Sequence, residues 1–478
     1  MGDYLSSIKT LFANISLIVL LNLLIKPIWV LVEMEIQDVV GHEAWGMYAA
    51  LFALGYLFLV IADLGINPYT TQKLASQPEL MKTHAPGLLS LKIILMFLYP
   101  VFMLGVGWIL GYQEIELYFL AIICLIHAGS QLMSFFRANF RAMQRFQIDA
   151  YLSIFDRIFL LLLVPLLFYT GMTIDGFIYM RILSVGVGAV LFYILLVRMY
   201  GKIRASFDKS LLKKSLKSSM PFALMTLLYS VHDKVDQVMI ERIAGQLETG
   251  LYAAAYRWID AFSMYLWIVL PIFFARFAYY IKDKKEQEGL LTFGQAIASL
   301  PIIFISIFGL FYGDKLLFLF DNSSPQELEV MQACLRILFL ALLVNGSFTI
   351  FSTLLTSTGY VTFVNQVILL SIVLNIALNA YFIPQYGAIA SAWTTFLSFS
   401  LANIAYVLYA GIRLNIFLPV RQFILLGLLG IALYGFFYGL REISDNWLLN
   451  SCIAGIIYAG LAFAVKLISF EQIRSFKV

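Results

Sequence analysis

The feature that most constrains this chain is the recurrence of apolar runs about twenty residues long. A bilayer's hydrocarbon core is about 30 Å thick and takes about 20 apolar residues to cross as a helix. Such runs recur about fourteen times, near residues 11–32, 44–63, 88–110, 115–136, 150–170, 176–198, 219–241, 250–275, 292–312, 330–355, 363–383, 387–410, 422–440 and 447–468. Of 478 residues, 62% are hydrophobic and 13% charged, whereas soluble domains run near 25% charged. No long polar block exists to form a soluble domain. The expected fold class is therefore an all-α integral membrane protein. The run from Leu11 is too long for a signal-peptide core and lacks an A-x-A-like site, so it is expected to stay as a span.

Other classes find little support. The net charge of +4 says little about nucleic acid, and no Gly-rich phosphate loop, zinc-type cysteine spacing or basic–aromatic tract occurs. Cys124, Cys334 and Cys452 lie far apart in apolar runs. They read as small buried hydrophobes rather than a disulfide framework. No cofactor is expected.

Loop charge sets the orientation. With a cytoplasmic N-terminus, alternate loops carry Lys73, Lys82, Arg137, Arg141, Arg145, the run from Lys202 to Lys217, Lys282, Lys284, Lys285, Arg413 and Arg421. The opposite loops carry Glu33, Glu35, Asp38, Glu43, Glu114, Glu116, Asp175, Glu248, Asp314, Asp321, Glu327, Glu329 and Asp445. Both termini are then cytoplasmic. Arg137, Arg141 and Arg145 read as a basic helical stripe on lipid phosphate. The stretch "RMYGKIRASFDKSLLKKSLKSS" reads as an amphipathic linker on anionic lipid.

This linker falls midway through the first twelve spans. It suggests an N-lobe of six helices (1–200), the linker (201–218), a C-lobe of six (219–412), and two last helices with a tail (413–478). A repeat agrees. "GHEAWGMYAALFALG" and "GQLETGLYAAAYRWID" place Gly46, Tyr48, Ala49 and Ala50 against Gly250, Tyr252, Ala253 and Ala254, 204 residues apart. Both copies open an even-numbered span on its outer side, as in transporters with parallel repeats.

Ionisable residues inside spans carry the functional signal, because each is disfavoured by at least about 2.5–3.5 kcal/mol at the bilayer centre. The cations are Lys26, Arg157, Arg181, Lys234, Arg257 and Arg336; the anions are Asp156, Asp233, Asp236 and Asp260, joined by His232. Cations exceed anions by two, which suits an anionic headgroup. Lys26 precedes the helix-kinking Pro27, with snorkelling to headgroups as the plainer alternative. Arg157 reads as a pair with Asp156. Asp63 reads as a cap or a contact of a basic loop. His232, Asp233 and Asp236 share a helix face by spacing. They and Asp260 suit proton or sodium coupling, or else a charge zipper with Lys234 and Arg257.

Four stretches resemble the polysaccharide and lipid-linked oligosaccharide flippases of the multidrug/oligosaccharidyl-lipid/polysaccharide exporter superfamily. They are "GHEAWGMYAALFALGYLFLVIADLGI", "FFRANFRAMQRFQIDAYLSIFDRIFLLLLVPLLF", "LLYSVHDKVDQVMIERIAGQLETGLYAAAYRWID" and "LSIVLNIALNAYFIPQYGAIASAWTTFLSF". The last holds paired asparagines, Asn375 and Asn379, then Pro384, Tyr386, Gly387 and the small residues Ala388, Ala390, Ser391 and Ala392. The resemblance implies two six-helix lobes in a V that alternate in access, and a cavity lined by helices one, two, seven and eight. Helices thirteen and fourteen would then hold a lipid tail. The implied cargo is a polyprenyl-diphosphate-linked oligosaccharide, carried between leaflets of a bacterial inner membrane alongside glycan-assembly proteins. The arginine cluster of lipid II flippases is missing from the first two runs. Substrate contacts are expected from Lys26, Arg181, Arg257, Arg336 and Lys234, and coupling to H+ or Na+ from His232, Asp233, Asp236 and Asp260. A multidrug or cation antiporter, which predicts an anionic site that the three aspartates allow, is the nearest rival. A membrane glycan polymerase or glycosyltransferase lacks the large loop or soluble domain it would need.

Overall fold

The computed structural model describes residues 25, 27–76, 81–143, 145–201, 205–416 and 418–468. Helix is the only regular structure among them apart from one short 3-10 turn. After a first helix α1 (27–40) come α2 (His42–Leu57), α3 (Leu59–Asp63), α4 (Ile66–Ser76), α5 (Met81–Ile109), α6 (Glu114–Ala142), α7 (Phe146–Thr170) and α8 (Ile174–Tyr200). They are followed by α9 (Lys209–Ala244), α10 (Gln246–Tyr279), α11 (Lys284–Tyr312), α12 (Pro325–Ser357), α13 (Val361–Arg413), α14 (Val420–Ile443) and α15 (Trp447–Ala464). The chain forms two compact units, Met1–Gly250 and Leu251–Val478.

Ten helices are long and apolar enough to cross a membrane, or eleven if the bent pair His42–Leu57 and Leu59–Thr71 is one span. This is a multi-pass membrane protein. Three features separate that number from the expected fourteen. Most of the first run lies outside the described residues. The apolar stretch of α9 is interrupted by His232, Asp233, Lys234 and Asp236. And α13, with 53 residues, counts once although Gly387 breaks it at φ 57°, ψ −139°. An unbroken helix of that length would run about 80 Å, far beyond one bilayer core.

In the first unit α2 packs along α6 and α9, α5 lies against α6 and α9, and α8 bridges α6 and α7. The α2–α4 segment bends by 55° between His42–Leu57 and Leu59–Thr71, and the chain turns again between α3 and α4 through Leu64 and Gly65, at φ 46° and 74°. Asp63 anchors this bend. Its carboxylate accepts from the backbone N–H of Asn67 at 3.2 Å and pairs with the Nζ of Lys92, which also donates to the Ala62 carbonyl at 3.2 Å. Both charged side chains are buried, at 1% and 8% exposure. Lys92 was not among the intramembrane cations expected, yet it is the most deeply enclosed of those described. Asp63 does cap α4 as expected.

The helical period of "SFDKSLLKKSLK" is continuous with the seventh span. Asp208 caps α9 by accepting from Leu211 N at 2.9 Å, and the helix runs 36 residues. Lys209, Lys213 and Lys217 form an exposed stripe on its first turns. The arginine stripe of α6 is held differently from the lipid contact expected: Arg137 and Arg141 reach Asp149 in the first turn of α7, at 2.7 and 3.5 Å.

In the second unit α12 packs between α11 and α13. The two arms of α13 are joined by the asparagine motif. Asn379 Nδ2 donates to Asn375 Oδ1 at 3.0 Å, Thr394 Oγ1 donates to Asn379 Oδ1, and Ser371 Oγ donates to the Ser398 carbonyl at 3.3 Å. Buried Ala388, Ala390, Ser391 and Ala392 let the second arm approach closely. α14 and α15 dock on α11 through Leu300, Ile303, Ile307, Leu433, Phe437 and Tyr458.

Removing one partner of a buried ion pair is disfavoured by about 3–5 kcal/mol, while replacing both by apolar groups is often neutral. Lys92→Met alone is expected to lower thermal stability in detergent sharply. Lys92→Met with Asp63→Leu is expected to recover most of it. Equal melting of the single variant and wild type would show the pair to be unimportant.

Candidate functional site

Two features of the first unit stand out, a cage around Arg181 and a seam between two hairpins. α8 carries Phe177, Arg181 and Ser184 on one face, at i, i+4 and i+7. α2 presents Tyr48 and Phe52, one turn apart. Arg181 Nη1 donates to Tyr48 Oη. Its guanidinium carbon lies 5.0 Å from the Phe52 ring centre and 6.0 Å from that of Phe177, within the range where aromatic faces attract a cation. Trp45 and Trp29 extend the aromatic wall, with ring centres 5.7 and 6.4 Å from Phe177.

His127 of α6 backs this wall. Its ring centre lies 4.2 Å from Phe52, and its Nε2 donates to the Phe52 carbonyl at 3.0 Å. The carboxylates whose fields reach Arg181 are Asp156 and Glu33. Among the described residues Asp156 forms no direct ion pair with Arg157, the pair expected, although its field reaches that guanidinium; it accepts from Ser184 Oγ at 2.7 Å. Thus, among the described residues, the direct partner of Arg181 is a neutral hydroxyl, and its buried Nε has no hydrogen-bond partner there.

The seam lies where the helices begin. Single glycines join α1 to α2 and α9 to α10: Gly41 at φ 88° and Gly245 at φ 98°, values that favour glycine. Gly46 and Gly250 are then each the fifth residue of their helix. A Cβ on Gly46 would lie 1.8 Å from the Gln246 carbonyl oxygen, and one on Gly250 would lie 2.0 Å from that of His42. Gln246 and His42 are the first residues of α10 and α2, so the contact is reciprocal, as across a two-fold axis. The sequence repeat is a structural one at this point.

Hydrogen bonds surround the crossing. Gln37 Nε2 donates to the Gly250 carbonyl at 2.8 Å and meets His42 Nδ1 at 2.9 Å. Gln246 Nε2 donates to Glu116 Oε1 at 3.0 Å. Tyr112 Oη donates to Glu241 Oε2 at 2.8 Å. Arg242 pairs with Glu241 in a fork and stacks 3.8 Å from the Tyr112 ring centre.

The other expected residues fall as follows. Lys26 lies outside the described residues. On α9, Lys234 reaches the neighbouring Asp233 at 3.4 Å, Asp236 is buried, and His232 is partly buried. In the second unit Arg257 is buried and Asp260 exposed, both on α10. Arg336 is exposed on α12, and no hydrogen bond or ion pair holds it among the described residues. Of the expected site residues that are described, the cage contains Arg181 alone. The sequence marks Tyr48 only as part of the repeat and Glu33 only as loop charge. His127 is the residue of the cage that the count of intramembrane charges omits, although a histidine inside an apolar run is itself a signal.

Backbone carbonyls at the seam cannot swing aside. Gly46→Val is therefore expected to destabilise the first unit by at least the ~1–3 kcal/mol of ordinary overpacking. Gly427→Ala, where nothing lies within 4 Å, is expected to be neutral; thermal melts of the two variants decide. A second expectation concerns pH. Burial first, and then the Glu241 carboxylate, push the Tyr112 phenol well above its ordinary 10.0. The folded protein keeps this proton where the unfolded chain loses it. The contribution is present in full below pH 10 and falls as pH rises above it. Tyr112→Phe should flatten that alkaline loss of melting temperature; an unchanged alkaline slope would contradict it.

Comparisons with known proteins agree with this architecture. A model of the family described as "Polysaccharide biosynthesis protein" matches residues 11–277, more than half of the chain. An uncharacterised membrane protein of Methanocaldococcus jannaschii, MJ1375, is 24% identical over 389 residues, covering 75% of this chain and 88% of that one. Among solved structures, the lipid II flippase MurJ in an inward closed conformation aligns with a TM-score of 0.73 at 14% identity, over 92% of this chain and 97% of its own. An inward-facing multidrug resistance MATE family transporter of the MOP superfamily aligns with a TM-score of 0.65 at 16% identity, over 82% and 94%. At such identities the likeness is one of fold. With its fold shared by those transporters and more than half its length matched by the family model, the chain belongs to the polysaccharide biosynthesis protein family.

Proposed function

We propose that this protein is a flippase that carries a polyprenyl-diphosphate-linked oligosaccharide from the inner to the outer leaflet of a bacterial cytoplasmic membrane, by alternating access. The observation that carries this reading is Arg181: a cation inside a span, held by a neutral hydroxyl and two aromatic faces. A sugar diphosphate loses its water in hydrocarbon and needs substitute partners. A guanidinium matches phosphate oxygens in geometry and charge, while aromatic faces suit the apolar faces of sugars. Lys26, Arg257, Arg336 and Lys234 complete the proposed set of substrate contacts. The tail stays in lipid along α14 and α15.

His232, Asp233, Asp236 and Asp260 are the proposed coupling groups for H+ or Na+, resetting the halves 1–200 and 219–412. The hairpin seam at Gly46 and Gly250 is the proposed outer seal of one state. Family membership and the transporter names among similar structures favour transport over catalysis. Glycan-assembly proteins are the proposed partners. The rival of an antiporter for drugs or cations is favoured by one observation, the 42% exposure of the Asp233 carboxylate on α9. It predicts drug sensitivity in a deletion strain whose surface glycan is normal.

A hydrogen bond to a charged group contributes about 1.5–3 kcal/mol. Arg181→Gln is therefore expected to cut glycan display between about tenfold and a hundredfold in a complemented deletion strain, at unchanged protein level in the membrane. Arg181→Lys should fall between it and wild type. Wild-type display by Arg181→Gln would remove the basis of the reading.

A further inference from the structure

An open-sided recess of about 520 Å³ sits in the second unit, at the basic end of its helices. Its walls are Lys284 and Glu288 on the first turns of α11, Leu408 and Ile412 on the last turns of α13, and Asn415 and Val420 in and after the connection to α14. The connection is built to leave this space. Asn415 takes a left-handed conformation at φ 49°, and Leu418 folds back so that a Cβ on Gly411 would meet its Cδ1 at 3.2 Å.

We propose that this recess is a binding site for one anionic phospholipid of the adjoining leaflet, separate from the transported cargo. Three independent features point there. First, two exposed apolar stripes run out of it along the spans: Leu397, Leu401, Ile404, Leu408 and Ile412 on α13, and Val420, Ile424, Leu428 and Ile431 on α14. Each repeats at helical spacing, and each ends at the recess, Ile412 being 75% exposed. They form the path an acyl chain would follow. Second, Lys284 lines the recess, and four more exposed cations, Lys282, Lys285, Arg413 and Arg421, lie within two residues of its lining positions, against three carboxylates, Asp283, Glu286 and Glu288. One of the three, Asp283, is engaged in capping α11, accepting from Glu286 N at 3.1 Å. Third, the 24-residue helix α14 starts at the rim behind Pro419, which provides no side-chain cap for its first N–H groups. An uncapped helix start favours an anion.

An occupant with one charged headgroup and long apolar chains satisfies all three features. A soluble anion leaves the stripes unused, and a zwitterionic lipid gains nothing from the excess of positive charge. Basic side chains at a membrane surface contribute about 1 kcal/mol each toward anionic lipid, or about fivefold in affinity.

The test uses full-length protein purified in detergent, with phosphatidylglycerol or phosphatidylcholine titrated from mixed micelles and bound lipid counted by native mass spectrometry. Wild type is expected to retain one phosphatidylglycerol more tightly than any phosphatidylcholine. Lys284→Gln and Arg421→Gln should each weaken that molecule about fivefold, leaving phosphatidylcholine unaffected. Ile412→Trp, which fills the recess, should remove it. Lys315→Gln, an exposed cation paired with Asp314 at 3.1 Å, should change nothing. Equal retention of the two lipids by wild type overturns the proposal, as does unchanged phosphatidylglycerol binding in the charge variants. Should Arg421→Gln fail to purify, Lys284→Gln, on an exposed first turn, decides alone.

Discussion

The first unit depends on one close approach: the crossing of α2 and α10 at Gly46 and Gly250. Two helix starts side by side bring positive dipole ends together, an arrangement that repels unless something negative intervenes. Here the carbonyls of His42 and Gln246 point at the opposing glycines, which is possible only where no side chain stands. Acidic residues then gather at the same level: Glu43 and Glu248 in the two first turns, Glu116 on Gln246, and Glu241 between Tyr112 and Arg242. Glu43, Glu116 and Glu248, which mark one set of loops in the sequence, thus also help to neutralise the helix ends. A side chain at either glycine would separate the starts and break the bond from Gln37 to the Gly250 carbonyl.

Below the seam, the same unit encloses charge in two contrasting ways. Lys92 meets a carboxylate directly, in a site closed to solvent. That pair fixes the bend between α3 and α4, and its charge is neutralised locally. Arg181 meets a phenol and the faces of Phe52 and Phe177 instead. The nearby carboxylate, Asp156, accepts from Ser184. The first arrangement suits a fixed joint. The second leaves a positive potential directed into the cage.

Much of the fold was legible because apolar run length is a direct measure of the solvent being crossed. The repeat was legible too, and its glycines proved to mark equal positions in equal hairpins. Hydropathy was blind to three things. It could not see that α9 continues past the apolar region, since a helix keeps its hydrogen bonds in water as well as in lipid. It could not detect Lys92, because one lysine hardly lowers the average of a long apolar run. And it misread Arg137 and Arg141, whose partner Asp149 follows across a turn into the next helix. The site was legible as a set of residue types and not as contacts. Tyr48 and Arg181 are 133 positions apart, and no local pattern links them.

The excess of intramembrane cations over anions noted in the sequence survives the addition of Lys92, because Asp63 enters with it. What the structure adds is the distinction between cations in direct contact with a carboxylate and those that are not. Lys92 belongs to the first kind, and Lys234 leans on Asp233. Arg181, with its neutral partner, and Arg336, exposed on α12, belong to the second. For a phosphorylated guest only the second kind matters, since a carboxylate already in contact would have to be displaced before a phosphate could enter. A tyrosine hydroxyl yields at far smaller electrostatic penalty, and its oxygen can turn from accepting the guanidinium to donating to the incoming phosphate. On physical grounds the Tyr48–Arg181 pair is therefore a better place to receive a diphosphate than any of the carboxylate-paired lysines.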